Sequence, residues 1–537
     1  MPQRHVRHAS TWRRHRTLGR AAVPAIALAA LVLSACASLP ADYPRTESSA
    51  LTETNDTLLG AALAPLVAAH PGESGFTPLS RGLDAFVARI VLAEAAQKSL
   101  DVQYYIWHGD TTGRLLSGAL VRAADRGVRV RVLLDDLGTA ADDGTLVALD
   151  AHPHIEIRLF NPVALRTARG LGTVLEFGRV NRRMHNKSFT ADNQATIVGG
   201  RNVGDEYFEA RADLDFGDLD ALTIGPVVRE VSSAFDLYWN NAASFPITAL
   251  TREGIASEDL TRLRDELRAY GESQKDSPYA RALRSSPLAA QLRQGEVPLF
   301  WGRAWLVYDD PAKITTATTD TSTHLTPKLR DVITRTQREL LIISPYFVPG
   351  KEGVELFRSL RARGVQVRIL TNSLASTDVS AVHAGYVRYR ERLLRAGVQL
   401  YEVKATARIH GTDRKADKKD KGGLTGSSRA SLHAKSFAFD RREIFIGSMN
   451  LDPRSMELNT EIGVLFETPE GGDLFAEGFE RIVSENAFRL ELTEAGRLEW
   501  VSQEDGRETR FTTEPNSSVW RRMGVWFMQW MPIEHQL

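Results

Sequence analysis

One short pattern occurs twice in this chain, and the repeat constrains the fold more than any other feature. Each copy has a histidine, a lysine two residues later, an aspartate five residues after the lysine, and an asparagine beyond a glycine turn. The members are His185, Lys187, Asp192 and Asn202 in the first copy, and His433, Lys435, Asp440 and Asn450 in the second. A single His-x-Lys is uninformative, but two matching copies 248 positions apart predict duplicated lobes.

The segments before each motif repeat the same order of elements. Strand-like residues 99–106 and 340–347 are followed by helical patterns at 115–126 and 353–363, a glycine, and apolar strands at 128–134 and 365–370. Strands alternating with helices that end at glycine predict parallel β-α-β units. We expect an α/β protein with lobes at residues 76–245 and 296–490, joined by a charged helical linker at 246–295. Residues 36–75 are expected to form a tether and 491–537 a C-terminal tail.

The N-terminus has the features of an export signal. Residues 1–35 hold six arginines and no acidic residue, and an apolar run at 21–33 is too short to cross a bilayer comfortably. The run leads to Leu33-Ser34-Ala35-Cys36, which resembles a bacterial lipobox with Cys36 as the lipidated residue. A simple cleaved signal and an uncleaved anchor are the alternatives. Cys36 is the only cysteine, so no intrachain disulfide is possible.

The charge of the mature chain speaks against nucleic acid as a partner. Without the six arginines of residues 1–35, 61 basic residues face 67 acidic ones, a net charge of −6. Proteins that neutralise a phosphate backbone carry a basic surplus. We therefore do not expect nucleic acid as a partner. The oligomeric state is not determined by the sequence.

The spacing within each motif predicts one shared phosphate pocket. Residues i and i+2 of a strand point to the same face, so each histidine and its lysine would project together. The asparagine beyond the glycine turn can reach back to the same pocket. Two facing lobes would bring two histidines, two lysines and two asparagines around one phosphate. Asp192 and Asp440 belong to the catalytic motif, but their odd offset from the lysine favours a structural, hydrogen-bonding role.

This constellation resembles the phospholipase D superfamily, whose pattern is two such motifs. The resemblance implies duplicated α/β/α sandwich lobes with one active site at their interface, and a phosphohistidine intermediate. It implies that His185 attacks phosphorus while His433 protonates the leaving alkoxide and then deprotonates the incoming alcohol or water. Lys187, Lys435, Asn202 and Asn450 would stabilise charge on the phosphate, and this set of donors requires neither a metal nor another cofactor.

The histidines need carboxylates to fix their tautomers, and the sequence offers candidates. Glu461 matches the acidic residue that the family has after the second motif. Asp218 is the candidate in the first lobe, in competition with Asp213, Asp215 and Asp220. Ser448, in the second glycine turn, is a further supporting residue.

Longer matches resemble the bacterial cardiolipin synthases. They are residues 100–107, 134–136, 199–208, 181–187, 427–435, 450–455 and 531–534, of which the last four resemble the C type of these enzymes. The implied reaction moves a phosphatidyl group onto phosphatidylglycerol from phosphatidylethanolamine or a second phosphatidylglycerol. A phospholipase D that releases phosphatidic acid, a periplasmic phosphodiesterase or nuclease, and a non-enzymatic scaffold are the alternatives.

Two further segments bear on membrane contact. Trp520, Trp526, Phe527 and Trp530 crowd one face of a predicted helix near the C-terminus, which is typical of an interfacial helix or of a helix packed on the second lobe. Residues 404–429 form either a solvated loop or a lid over the headgroup. With a lipidated Cys36, we expect a protein anchored in the bacterial cell envelope and facing the periplasm, in the inner or the outer membrane.

Overall fold

The computed structural model describes residues 38–139, 142–211, 215–251, 257–294, 296–407, 430–504, 506–531 and 534–537. The export signal, Cys36, Asp213 and nearly all of the 404–429 segment lie outside these residues. No helix of the described residues is both long enough and apolar enough to cross a bilayer.

The first lobe is a mixed sheet covered by helices. Its strands are β1 (Ser74–Leu79), β2 (Ser99–Tyr104), β3 (Arg129–Asp135), β4 (Ile155–Phe160), β5 (Ser188–Ala191), β6 (Ala195–Gly199), β7 (Asp215–Gly217), β8 (Asp220–Ile224) and β9 (Ser244–Pro246). Its helices are α1 (Leu58–Ala68), α2 (Gly82–Ala95), α3 (Thr111–Asp125), α4 (Asp143–Asp150), α5 (Arg169–Leu175), α6 (Phe177–Val180) and α7 (Val227–Trp239). β2, β3 and β4 are parallel, and β5–β6 is an antiparallel hairpin beside β2.

The second lobe repeats this plan. Its strands are β10 (Phe300–Tyr308), β11 (Glu339–Ile343), β12 (Gln366–Asn372), β13 (Gln399–Val403), β14 (Ala430–Leu432), β15 (Lys435–Phe439), β16 (Glu443–Gly447), β17 (Ile462–Glu467), β18 (Ala487–Leu492), β19 (Leu498–Glu504) and β20 (Arg507–Phe511). β11, β12 and β13 are parallel, and the hairpin β15–β16 pairs with β11. The predicted duplication of α/β lobes is therefore confirmed.

Helices cover the second lobe and connect it to the first. The connecting helices are α8 (Ile247–Leu250), α9 (Ser257–Gln274), α10 (Pro278–Arg284) and α11 (Pro287–Gln294); those of the second lobe and tail are α12 (Thr326–Arg335), α13 (Gly350–Ala362), α14 (Ser380–Arg395), α15 (Pro469–Glu485) and α16 (Val519–Met528). The connecting helices pack on the first lobe, where Leu267 joins the core and Arg264 pairs with Asp125 at 2.6 Å.

Glycine ends the repeated helices α3 and α13 for a stereochemical reason. Gly127 has φ +91° and Gly364 has φ +88°, a left-handed conformation that most residues adopt only with strain. The chain then reverses into β3 or β12, whose apolar residues lie inside the lobe. This geometry explains why the sequence places a glycine between helix and strand in both halves.

The boundaries differ from those predicted in two places. The sheet of the second lobe continues beyond residue 490, because β19 pairs with β18 and β20 with β19. The expected tether is packed on the first lobe, with Arg131 donating to the carbonyl of Ser48 and Asp236 accepting from the amide of Ala50. Both additions give protein hydrogen-bond partners to backbone groups that an isolated tail or tether would leave to water.

A continuous sheet joins the lobes and sets the site between them. β1 pairs with β8 in its own lobe and with β10 of the second lobe. β10 in turn pairs with β17. A separate short pair, β7 with β14, also crosses between the lobes and lies directly before His433. These pairings fix the relative position of the two motifs.

Candidate active site

Each motif histidine lies just before the first strand of a hairpin. We expected a strand to carry each histidine, but β5 begins at Ser188 and β15 at Lys435. Each lysine still lies beside its own histidine. Lys187 Nζ donates to the carbonyl oxygen of His185 at 2.6 Å, and Lys435 Nζ lies 3.1 Å from His433 Nε2.

Each histidine is held by a carboxylate from the opposite lobe. His185 Nδ1 lies 2.9 Å from Glu461 Oε2, and His433 Nδ1 lies 2.6 Å from Asp218 Oδ2. All four side chains are buried. The hydrogen bond at Nδ1 leaves Nε2 of each ring as the nitrogen for chemistry. Glu461 of the second lobe is thus the partner of the first-lobe histidine, and Asp218 of the first lobe is the partner of the second-lobe histidine.

Backbone hydrogen bonds explain this pairing between the lobes. The amide of His185 donates to the carbonyl of Thr460, the residue before Glu461, at 2.9 Å. In the same way the amide of His433 donates to the carbonyl of Gly217, the residue before Asp218, at 2.8 Å. Each histidine segment is therefore paired with the segment that carries its carboxylate. Of the competing residues, Asp220 instead forms a buried ion pair with Arg89 at 2.8 Å.

The electrostatic environments of the two histidines differ. Burial lowers the pKa of His185 well below its ordinary value, and Lys187 and Lys435 lower it further. Burial and Lys435 also lower the pKa of His433, while Asp218 opposes them. Although burial alone would raise it, His433 and Lys435 hold the pKa of Asp218 well below its usual range. Burial raises the pKa of Glu461 to about 7.

This asymmetry favours different roles for the two rings. A fully ionised Asp218 stabilises an imidazolium at His433, as an acid requires. A carboxyl with a pKa near 7 stabilises charge on His185 less strongly, so that ring stays neutral and its Nε2 lone pair is available. The two sequence motifs alone did not distinguish these roles.

The lysines are charged donors whose ionisation is weakened by burial. Burial lowers the pKa of Lys187 to about 7, and the negative charge of Glu461 opposes this shift most strongly. Burial lowers the pKa of Lys435 to about 8, and there the main opposing charge is that of Asp218. An anionic phosphodiester between them would favour the charged forms of both. The two ammonium groups can thus hold the non-bridging oxygens.

The motif aspartates lie away from the reacting rings. The Asp192 carboxylate accepts the backbone amides of residues 97–99, and the Asp440 carboxylate accepts those of residues 337–339. Asp192 and Asp440 also have positive φ values, as do Asn193 and Arg441 after them. Two consecutive left-handed residues form the tight turns that close β5–β6 and β15–β16. The aspartates hold each hairpin against the neighbouring strand.

The two asparagines differ in their contacts. We expected both at the phosphate, but Asn202 accepts from the amide of Ile106 at 3.2 Å and donates to the Tyr207 hydroxyl at 2.9 Å. Asn450 is buried, and its Oδ1 has no hydrogen-bond partner among the described residues. Rotating this amide would direct its NH₂ group into the same space. Asn450 is therefore the asparagine available to a phosphate oxygen.

Ser448 connects the second motif to Glu461. Its hydroxyl donates to Glu461 Oε2 at 2.5 Å and accepts from the amide of Ile462 at 3.0 Å. The serine therefore fixes the carboxyl group that holds His185. Ser448, expected as a supporting residue, thus contacts the partner of His185.

Sequence reasoning did not identify the aromatic walls of the pocket. The Tyr105 ring meets His185 edge-on with centroids 5.0 Å apart. The Tyr207 ring meets His433 edge-on with centroids 5.1 Å apart, and the Phe216 ring stacks on His433 with centroids 5.2 Å apart. Tyr105 and Tyr207 lie within sequence segments that resemble the family, whereas nothing in the sequence relates Phe216 to His433. These rings shield the histidines from water and lower the local dielectric.

Two buried carboxyl groups beyond Glu461 were also missed. Asp309 accepts from the amide of Glu461 at 2.8 Å and pairs with Lys313 at 3.0 Å. Asp452 accepts from the amide of Ser455 at 2.8 Å. Burial raises the pKa of each to about 7. They support the second-lobe segment that supplies Glu461 and Asn450.

The part of the chain that the structure describes contains one group of potential metal ligands, His108, Asp110 and Glu206. It is separate from the histidine pair and has structural contacts. Asp110 accepts from Gly113 at the start of α3 and from the amide of Asp205, while His108 pairs with Glu206 at 3.3 Å. The cluster is a helix cap joined to an ion pair.

The last residues of the chain link the two lobes beside the site. Asn181 of the first lobe donates to Gln536 at 2.6 Å. Arg454 of the second lobe donates to Asn181 Oδ1 at 2.7 Å and to the carbonyl of Gln536 at 3.1 Å. Leu537 is buried. This contact braces the segment that leads into His185.

Known proteins share both the sequence and the architecture. A family described as "Cardiolipin synthase, PLD-like domain" matches residues 90–239 and 329–483. The chain belongs to this phospholipase D-like cardiolipin synthase family. It is 45% identical to cardiolipin synthase C of Escherichia coli strain K12 over 89% of this chain and 99% of that protein.

More distant relatives agree. The major cardiolipin synthase of Bacillus subtilis is 25% identical over 72% of this chain and 64% of its own length. The crystal structure of phosphatidylserine synthase from Haemophilus influenzae has a TM-score of 0.53 with 14% identity, covering 80% of this chain and 92% of that one. At this identity the likeness concerns the fold alone.

Proposed function

We propose that this protein transfers a phosphatidyl group between membrane phospholipids and forms cardiolipin with phosphatidylglycerol as the acceptor. The observation that carries the proposal is the pair of buried histidines, each bonded at Nδ1 to a carboxylate of the other lobe. Membership of the cardiolipin synthase family and the likeness to a cardiolipin synthase along nearly the whole chain support the substrate class.

In the first step, His185 Nε2 attacks phosphorus and a P–N bond forms while the bond to the headgroup oxygen breaks. His433 gives its Nε2 proton to that oxygen. Its bond to the ionised Asp218 stabilises the imidazolium before transfer. Lys187, Lys435 and Asn450 stabilise the negative charge that builds on the phosphate oxygens.

In the second step, an acceptor hydroxyl attacks the phosphohistidine. Its oxygen forms the new P–O bond, the P–N bond to His185 breaks, and His433 takes the hydroxyl proton. The aromatic walls at Tyr105, Tyr207 and Phe216 limit water around the intermediate. Hydrolysis and transfer share the intermediate and differ only in which hydroxyl arrives.

The C-terminal helix supplies a surface for the membrane. α16 packs on α14 through Val525, which is buried with Leu374 and Ala384. Its outer face leaves Trp520 at 78%, Phe527 at 65% and the following Trp530 at 75% exposure. One side of the helix thus packs on the second lobe, and the exposed aromatic side supports the proposed contact with lipid. Exposed aromatic residues of this density favour insertion at a lipid interface.

We also propose that a lipid on Cys36 anchors the protein in the cell envelope. The support for this anchor is the lipobox-like sequence that ends at Cys36. Because one acyl chain binds a membrane only weakly, a stable anchor requires several chains or a second membrane contact. A Cys36→Ser variant should lose incorporation of labelled fatty acid and move partly into the soluble fraction. Unchanged labelling would contradict lipidation at this residue.

The activity is tested by incubating purified protein with vesicles of labelled phosphatidylglycerol, with and without phosphatidylethanolamine, and separating the lipids. Cardiolipin is the expected product. Phosphatidic acid as sole product would identify a hydrolase, and DNA cleavage without lipid turnover would contradict the proposal. His185→Ala should form no cardiolipin, whereas the exposed Asp265→Asn on α9 should match the parent.

Membrane contact by α16 is tested by sedimentation with anionic vesicles. A Trp526→Gln, Trp530→Gln variant should bind several-fold more weakly, because two exposed indoles are removed while the packed Val525 is kept. Leu474→Gln removes an exposed apolar side chain from α15 and serves as the matched control. Equal binding by all three proteins would contradict the assignment.

A further inference from the structure

A loop that follows β12 forms part of the rim of the second-lobe half of the site. Asn372, the last residue of β12, donates to the carbonyl of Leu432 and accepts from its amide, both at 2.9 Å. Leu432 directly precedes His433. The loop at residues 373–379 is therefore fixed beside the histidine that handles protons.

The loop also carries an exposed carboxylate, that of Asp378. Asp378 accepts a hydrogen bond from the Tyr346 hydroxyl at 2.8 Å. Tyr346 lies just beyond β11, where Ser344 donates to its carbonyl and accepts from the amide of Leu451, next to Asn450. Within the described part of the chain, Tyr346 is the only hydrogen-bond donor to Asp378. The carboxylate thus has acceptor capacity left.

The charge of Asp378 reaches the reacting groups. Burial lowers the pKa of Lys435 to about 8, and Asp218, Glu461 and then Asp378 oppose this effect. Burial and Asp378 raise the pKa of Tyr346 well above its usual range, so its hydroxyl stays protonated and donates. Asp378 and Tyr346 therefore form a polar pair within electrostatic range of His433 and Lys435.

The same loop contacts the aromatic helix. Arg521 of α16 donates to the carbonyl of Thr377 at 2.6 Å. The carboxylate is thus placed between the catalytic pocket and the surface proposed to meet the membrane, where a headgroup has to pass. Arg521 lies near enough to Asp378 to interact with its charge, so this rim is not strongly anionic.

We propose that Asp378, held by Tyr346, binds the glycerol hydroxyls of the acceptor phospholipid and so directs the phosphohistidine toward transfer instead of hydrolysis. A carboxylate accepts hydrogen bonds from a diol, and the loop that carries Asp378 follows Asn372, which is bonded to the residue before His433. This inference rests on the proposed function, because it assigns the acceptor part of that site.

The chemistry requires a held acceptor. In the second step the hydroxyl oxygen forms a bond to phosphorus, the bond from phosphorus to His185 Nε2 breaks, and the proton passes to His433. Water reacts by the same route and is far more abundant. Holding a hydroxyl in line can raise its effective concentration to about 10⁵ M or more, which is how a lipid alcohol outcompetes water.

The test measures the ratio of cardiolipin to phosphatidic acid in vesicles of phosphatidylglycerol. Asp378→Ala should lower this ratio about tenfold, the value of one charged hydrogen bond. Tyr346→Phe should lower the ratio less, since the carboxylate stays but is no longer held. Asp265→Asn, an exposed aspartate far along α9, should leave it unchanged.

A second set of vesicles contains phosphatidylethanolamine, whose ammonium group could also bind a carboxylate. Reduced turnover of Asp378→Ala only in these vesicles, at an unchanged product ratio, would assign the residue to the donor and overturn the proposal. An unchanged ratio in both sets would overturn it too. Parent protein that forms no cardiolipin would instead contradict the proposed function itself. Circular dichroism checks the folding of each variant.

Discussion

The bond between Asp218 and His433 allows the most direct test of unequal histidine roles. Asp218→Asn keeps the shape and removes the charge from a buried contact of 2.6 Å. A hydrogen bond to a charged group contributes about 1.5–3 kcal/mol, and 1.4 kcal/mol is tenfold in rate. Transfer from a natural phospholipid should therefore slow by about 10- to 100-fold.

The effect should depend on the leaving group. A natural headgroup leaves as an alkoxide and needs the proton of His433, whereas p-nitrophenolate leaves without protonation. With a phosphatidyl-p-nitrophenol substrate, the burst of p-nitrophenolate from Asp218→Asn should stay within about threefold of the parent, less than the effect of one full charged hydrogen bond. Glu461→Gln should slow both substrates, because it disturbs the nucleophile His185.

The pH dependence gives an independent check. Asp218 raises the pKa of His433 against the effects of burial and Lys435. Without that charge the pKa falls further, so the protonated acid is lost at lower pH. The basic limb of kcat with natural lipid should shift to lower pH in Asp218→Asn. An equal loss on both substrates, with no shift of the limb, would refute the assignment of His433 as the acid.

Three other outcomes are expected. Because burial lowers the pKa of Lys187 to about 7, the lysine loses its charge as pH rises, and kcat/KM should fall above about pH 7; a profile flat to pH 9 would contradict this. Asp192→Ala leaves three backbone amides without their acceptor and should lower the free energy of unfolding by about 3 kcal/mol, measured with urea. Asp192→Asn, which tolerates the positive φ, should lower it less, and equal losses would argue against the turn explanation. Deleting residues 534–537 removes the contacts of Gln536 with Asn181 and Arg454, leaves the direct bond between Arg454 and Asn181, and should lower kcat about tenfold, the value of roughly one lost charged hydrogen bond, with vesicle binding intact; unchanged kcat would contradict a role for the C-terminal contacts.

The sequence by itself determined the duplication, the α/β class and the composition of the site. These follow from local patterns: a two-residue spacing of His and Lys, glycine after each repeated helix, and apolar strands that recur in both halves. Asp192 and Asp440 could also be separated from the chemistry, because an odd offset turns them away from the lysine face. Such features depend on residues close together in the chain, where backbone geometry leaves few possibilities.

Only the tertiary structure decided which groups meet across the lobes. Glu461 and Asp218 were candidates, but no pattern in the sequence pairs each of them with the histidine of the opposite lobe. That pairing depends on the backbone bonds from His185 to Thr460 and from His433 to Gly217. The residues that meet at these contacts are more than 200 positions apart in the chain. Local sequence patterns therefore cannot predict the contacts.

The same reason separates other findings from the sequence. Asn202 and Asn450 occupy equivalent motif positions, yet Tyr207 takes the amide of Asn202, while Asn450 Oδ1 has no partner among the described residues. No sequence motif surrounds Asp378. It becomes a candidate for the site only because Asn372 fixes the loop that carries it beside His433. Burial, which lowers the pKa of both histidines and both lysines, is likewise a property of the closed interface. The sequence by itself identifies the reacting histidines and lysines. The packing of the two lobes decides which residue each of them contacts and how its pKa is shifted.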